Sequence, residues 1–399
     1  MVGSERETRR IKSDIFVVLK KYENKMKKLL LLVATIATLC ACSQVQQPQL
    51  IDADNFATTI DGKPVALYTL KGGSLVMQVT NFGGRVVALW TPDREGAMED
   101  IVLGYNNIET YINNPGERFL GACVGVVANR IGEGRFVLNG KEYHTPLNNN
   151  GQTLHGGNRG VDMVVWDVVE VSDNSITLHL LAADGEEGFP GNRDITMTYT
   201  LTEQNEFRVD YLITTDAPAL VNISHHSFFN LKGEGRGTIL DHVLTIDADH
   251  VTPTNEWLIP TGEVAAVEGT PYDFRQPHTI GERIDTPNEQ LAFGKGYDAN
   301  WCLNRADDGT VQSVATLYCP SNGRYMEVLT DQVGLQFYSG NFFDGTTTGK
   351  YGRTLNFRES VALETQKWPD GINHKNFPSI VLNPEEKYTH TCIYRFTTK

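Results

Sequence analysis

The sequence predicts an all-β protein built as one large antiparallel β-sandwich. Three observations predict it. Apolar side chains recur at every second position from about residue 55 onward, favoured turn residues punctuate those runs, and no apolar stripe at helical spacing lasts beyond a few turns. The alternation is clearest at 195–201, where Ile195, Met197, Tyr199 and Leu201 face one way and Thr196, Thr198 and Thr200 the other. After a polar turn from Glu203 to Glu206, Phe207, Val209, Tyr211 and Ile213 resume the pattern, which makes a hairpin. A second hairpin is expected over 135–143 around Asn139-Gly140, and a third over 314–329 around Ser321-Asn322-Gly323. Further strands are expected at 75–80, 164–171, 175–181, 242–246, 333–338, 360–366 and 388–397. One short helix is expected at 108–113, before Pro115. No βαβ alternation supports a parallel sheet, and no repeat or linker divides residues 55–399, so one domain is expected there.

The first 42 residues do not belong to that body. They carry nine Lys/Arg against four Asp/Glu, so the rest of the chain bears −19 against the total of −14. Lys27-Lys28 precede an apolar run over 29–41, too short to span a bilayer but suited to a signal-peptide core. The run ends in Leu39-Cys40-Ala41-Cys42, which resembles a bacterial lipobox, with Cys42 the lipid-bearing residue after cleavage. Residues 1–25 are an upstream extension, with Met26 the expected true start, and 43–54 are the expected tether. These features place the body outside the cytoplasm, in the periplasm and at the outer membrane, touching lipid only through its anchor. The acidic balance offers no basic stripe for nucleic acid. Of the remaining cysteines, Cys123, Cys302, Cys319 and Cys392, no two stand at zinc-ligand spacing, and buried free thiols are expected.

Familiar catalytic signatures are missing: no GxSxG, HExxH, P-loop or GxGxxG stands in the required context. His225 and His226 adjoin, but neighbours on a strand point to opposite faces and cannot share an ion. Alternation puts Asn222, Ser224 and His226 on one face, and Ile223, His225 and Ser227 on the other. Glu364 shares a face with Ser360 and Ala362, a carboxylate over small residues, with Trp368 nearby as an expected aromatic wall. Loops add Asn129-Arg130, His155 within NNNGQTLHGGNRG, Asp298 in GYDAN and Gln336 in GLQFY. Amides, carboxylates and a guanidinium beside aromatics suit a polyhydroxylated ring.

At these residues the sequence resembles the aldose 1-epimerase (galactose mutarotase) family from about Gly62 to Phe396. Eight blocks carry the resemblance in order: GVVANRI, NNNGQTLHGG, GEEGFPGN, NISHHSFFNL, PTNEWLIPTGE, GYDAN, TDQVGLQFYSGNF and ALETQKWPDGINHKNFPSIVLNPEEKY. The resemblance implies the galactose mutarotase-like β-supersandwich, and an isomerase that interconverts α and β anomers of free aldohexoses. It implies Glu364 as base, His226 as acid and His155 as a second active-site histidine, with Asn129, Arg130, Asp298 and Gln336 as sugar-hydroxyl ligands. Glu364 would act as carboxylate and His226 as imidazolium, with no cofactor or catalytic metal. A structural Ca²⁺ among the acidic loops and a monomeric state are further expectations. One departure stands out: the family usually has Asn where this chain has His225. The competing expectations are a sugar-binding lipoprotein without turnover and a hexose-6-phosphate mutarotase, which would need more basic groups than Arg130.

Overall fold

The computed structural model describes residues 10, 12, 14–28, 48–113 and 116–399. It separates into residues 1–47 and 48–399. In the first unit, 14–28 are helical and exposed. Cys42, the apolar run over 29–41 and residues 43–47 of the expected tether lie outside the described residues. The body starts at Pro48, earlier than residue 55. Ile51 is buried because the Gln78 amide brackets its backbone, accepting from Ile51 N at 2.8 Å and donating to Ile51 O at 2.9 Å.

The body is a stack of antiparallel sheets, as the alternation requires. A nine-stranded sheet runs in the order Asp167–Val171, Ser175–Ala182, Arg193–Leu201, Glu206–Thr215, Tyr388–Thr398, Arg324–Thr330, Gln312–Tyr318, Val243–Ile246, His278–Thr279. Each expected hairpin is present; in the tightest, Arg135–Leu138 and Lys141–His144 meet across Asn139 and Gly140, both at positive φ, as a two-residue turn of this type demands. The helix Ile108–Asn113 also forms as expected.

Facing the large sheet are a four-stranded sheet of Leu67–Gly72, Leu75–Thr80, Arg85–Pro92 and Met98–Asp100, and a six-stranded sheet. The six-stranded sheet runs Phe228–Phe229, Val361–Gln366, Gly334–Tyr338, Asp298–Cys302, His250–Thr252, Ala265–Ala266. Between the layers, Met197, Tyr199, Val209 and Tyr394 share one core cluster with Trp301, Leu335, Phe337 and Leu363. That cluster uses only one face of the six-stranded sheet. The opposite face carries Glu364, Ala362, Gln336, Tyr338, Asn300 and Asp298, and the functional cleft opens there.

Arg85–Pro92 shows no alternation because both its faces are covered. Val86 and Leu89 join the main core, and Val87, Ala88 and Trp90 a second one. Cys123, Cys302, Cys319 and Cys392 are all buried free thiols.

Candidate active site

A cleft of about 570 Å³ lies over the polar face of the six-stranded sheet, within the size range of small-molecule sites. Glu364, His226, His155, Asn129, Arg130, Asp298 and Gln336 all line it.

Strand register supplies the floor. Asn300, Gln336 and Glu364 stand directly opposite one another on three adjacent strands, and Asp298, Tyr338 and Ala362 form the next row. Gln336 Nε2 donates to Asp298 Oδ1 at 2.6 Å, which fixes the amide and leaves Gln336 Oε1 without a protein partner. Ala362 keeps the floor low beside Glu364.

His226 arrives from Ser224–His226, which pairs with Ala122–Val124. The expected polar face of this strand divides its labour. Ser224 Oγ donates to Thr365 O at 2.9 Å, and Asn222 Oδ1 accepts from Lys367 N at 2.9 Å. These bonds tie the histidine strand to the strand of Glu364. The third member, His226, then reaches the cleft with Nε2 3.3 Å from Glu364 Oε1. Phe228 packs at 4.7 Å between ring centroids and Phe119 at 6.0 Å. His225 points to the core instead, between the Tyr199 hydroxyl at 3.2 Å and Ser227 Oγ at 2.6 Å, edge-on to Phe207. The departure from the family pattern therefore alters the core and not the cleft.

Asn129 and His155 clip two loops together. Asn129 N–H donates to His155 Nδ1 at 3.0 Å, and His155 N–H donates to Asn129 O at 2.9 Å. Both residues adopt positive φ, 61° and 49°, a costly conformation for non-glycine residues that concentrates at functional sites. A backbone N–H can only donate, so His155 Nδ1 is an acceptor, and the neutral ring carries its proton on Nε2. That tautomer bears on metal binding. His155, His226 and Glu364 offer atoms within 4.8 Å of one another, but His155 Nε2 has no lone pair to give. Two ligands remain, fewer than a catalytic zinc site uses.

Burial governs the charges. It pushes Glu364 well above the usual carboxylate range, reinforced by Asp298 and opposed by Arg130. It pushes His226 down to about 3 and His155 well below its ordinary value. Asp298 is also raised by burial, against the pull of Arg130 and the Gln336 bond. Burial therefore favours the uncharged form of both Glu364 and His226. That direction works against the expected carboxylate and imidazolium forms, because neither charge is well solvated there. Glu364 Oε2, His226 Nδ1 and Arg130 Nε have no protein partner.

Other cleft residues were not among the expected set: Glu117, Arg118, Phe119, Phe228, Leu258, Tyr338 and Phe342. Two were within reach of periodicity, since Phe228 and Tyr338 lie two residues beyond His226 and Gln336 on the same faces. Glu117 and Leu258 come from irregular loops with no such signal. Trp368 forms no wall of the cleft. Its indole N–H donates to Val333 O at 2.9 Å, and the ring packs on Phe377 and over Gly334, where no side chain stands in the way.

A buried carboxyl–imidazole pair beside polar side chains, on the outer face of a β-sandwich, has the make-up of an acid–base site for a small polar ligand. The family model for aldose 1-epimerase matches residues 66–395, and the chain belongs to that family. It is 40% identical to the galactose mutarotase of Rattus norvegicus over 336 residues, 84% of this chain and 95% of the relative. It is 32% identical to the aldose 1-epimerase of Escherichia coli K12 over 339 residues, 84% and 96% of the two chains. Among solved structures, a galactose 1-epimerase from Lactobacillus acidophilus superimposes with a TM-score of 0.74 at 26% identity, covering 86% of this chain and 97% of that one. An aldose epimerase homologue from C. elegans gives 0.76 at 25% identity, covering 84% and 99%.

Proposed function

We propose that the protein is an aldose 1-epimerase that interconverts the α and β anomers of free aldohexoses such as glucose and galactose. The 3.3 Å approach of His226 Nε2 to Glu364 Oε1, inside the cleft lined by every candidate hydroxyl ligand, carries this reading. A cyclic hemiacetal opens when a base takes the anomeric hydroxyl proton and an acid protonates the ring oxygen, breaking C1–O5. Glu364 is the base and His226 the acid. Half a turn about C1–C2 then presents the other carbonyl face, and reclosure reverses both transfers.

The pair carries one proton throughout. Transfer from Glu364 to His226 across the gap forms the reactive ion pair. Ring opening returns the proton inventory to a neutral acid and a neutral imidazole, the distribution that burial favours. Each positioned transfer is worth ~10²–10⁴-fold, and the balance needs no cofactor. The sugar itself is neutral in this reading. Arg118 Nε and Nη2 are held by Asp162 at 2.7 and 2.8 Å, and Arg130 faces Asp298 and Glu364, which leaves the cleft poorly suited to a sugar phosphate. A binder without turnover would have no use for a buried carboxyl poised against a histidine. Polarimetry on freshly dissolved α-D-glucose or α-D-galactose is the test: rotation decays faster with the protein, and unchanged decay refutes the reading.

We propose separately that the enzyme is a monomer and a lipoprotein outside the cytoplasm, anchored through Cys42. The lipobox-like N-terminal sequence supports the anchor. Cys42→Ala is expected to release the protein from the membrane fraction; retention there refutes the anchor.

A further inference from the structure

We infer that His390, on the strand Tyr388–Thr398 of the nine-stranded sheet, is a positioning residue for the catalytic pair: from behind the cleft it holds the strand of Glu364 against the strand of His226 and so sets their 3.3 Å approach. This rests on the mutarotase reading and deepens it, because it names what keeps the acid and the base in register.

Tyr388–Thr398 turns His390, Cys392, Tyr394 and Phe396 to its buried face. The catalytic strand answers with Leu363 and Thr365, the two neighbours of Glu364, which alternation points away from the cleft. His390 is buried, and its ring bridges both catalytic strands: Nδ1 lies 3.1 Å from Ile223 O, and Nε2 lies 2.9 Å from Thr365 Oγ1. A carbonyl can only accept, so Nδ1 carries the proton and Nε2 accepts from the Thr365 hydroxyl. Burial pushes the ring down to about 4, which keeps it neutral and able to make both bonds at once.

Two more bonds close the frame. Ser224 Oγ donates to Thr365 O at 2.9 Å, so Ile223 and Ser224 both end at residue 365, one through the imidazole and one directly. Tyr394 O–H, on the same strand face as His390, donates to Leu363 O at 2.9 Å. One strand therefore grips the residue before Glu364 and the residue after it, while the strand of His226 is held at Ile223 and Ser224. Packing alone would not select a histidine at this place. The ring lies between Tyr211 and Tyr388, at 5.3 and 6.4 Å between centroids, and an aliphatic side chain there would leave Ile223 O and the Thr365 hydroxyl dry and unpartnered. What the imidazole secures is placement, and an error of about 1 Å in the placement of reacting groups costs ~10²-fold in rate.

The test compares wild type with His390→Leu, His390→Gln and Thr365→Val, and with Ile176→Ala as a buried core control three strands away from His390 in the same sheet. Polarimetry gives kcat and KM, and urea unfolding gives stability. The imidazole ¹H–¹⁵N spectrum, with the His226 signal assigned by its loss in His226→Asn, reports on the pair without turnover. His390→Leu should lower kcat ~10²-fold, leave KM within a factor of about three, and displace the His226 signal. Thr365→Val deletes one hydroxyl and keeps the shape; it should displace the same signal and lower kcat about tenfold. Glutamine can donate to Ile223 O and accept from Thr365, so His390→Gln should recover kcat to within about tenfold of wild type. Ile176→Ala should lose stability and keep kcat. An unchanged kcat in His390→Leu and Thr365→Val overturns the inference, as does a loss that glutamine does not recover or that Ile176→Ala reproduces. If His390→Leu does not fold, Thr365→Val decides by the same two readouts. A wild type without turnover would refute the mutarotase reading; the His226 signal would still uphold the frame if Thr365→Val displaces it, and overturn it if not.

Discussion

Glu364→Gln separates catalysis from stability in opposite directions. The amide keeps the shape of the carboxyl beside His226, and its NH₂ group can donate to a neutral His226 Nε2, but it cannot take the anomeric proton. Activity should fall by ~10²–10⁴-fold, the worth of one positioned proton transfer. Stability should move the other way. Glu364 is 2% exposed, and burial raises its folded pKa above the unfolded value near 4.5. A raised folded pKa means the native state holds the proton more tightly. That stabilising contribution is complete below the unfolded pKa and is lost as pH rises through the folded pKa. Glutamine does not titrate, so the variant gains on wild type by up to about 1.4 kcal/mol per pH unit between those two values, and by nothing further above them. Polarimetry gives the first quantity, and urea unfolding at pH 4.5, 6 and 8 gives the second. A variant that keeps wild-type turnover, or whose stability relative to wild type does not rise from pH 4.5 upward, refutes the reasoning.

His225→Asn restores the residue usual in the family at a core position. Burial holds the His225 folded pKa at about 3, so its contribution to stability is present above 6.5 and is lost as pH falls toward 3. Wild type should therefore lose ground to the variant by about 1.4 kcal/mol per pH unit below 6.5, measured by urea unfolding; a gap independent of pH contradicts this. Lys350→Met removes a fully buried ammonium that pairs with Asp100 Oδ2 at 2.6 Å and Glu234 Oε2 at 3.4 Å and donates to Val87 O and Val102 O at 2.7 Å. Two buried carboxyls then lose their cation, and unfolding free energy should drop by ~3–5 kcal/mol; a loss under 1 kcal/mol would show that water reaches the pair.

Strands with one covered and one half-solvated face were legible because the alternation is written into them, as in Arg193–Leu201. Arg85–Pro92 was not, since a strand between two cores has no polar face to alternate with. The same logic divides the site. Alternation placed Asn222, Ser224 and His226 together and turned His225 away. It could not show that Asn222 and Ser224 would lash the strand to Thr365 and Lys367, because those bonds join residues more than 140 positions apart. Trp368 misled for a related reason: a long-range partner, Val333 O, decides where its indole turns. Charge state was the least legible property, because burial is a property of the assembled protein.

The last strand, Tyr388–Thr398, lies in the middle of the nine-stranded sheet, paired with Glu206–Thr215 on one side and Arg324–Thr330 on the other. The sheet's two halves have no direct hydrogen bonds to each other; this strand is the seam. A folding chain can form hairpins on either side, but it cannot close the seam until Tyr388–Thr398 pairs with both halves. Completion of the sheet thus waits until residues 388–398 are free to pair with both neighbours. Removing the last dozen residues would leave two unpaired edges where the middle of the sheet should be.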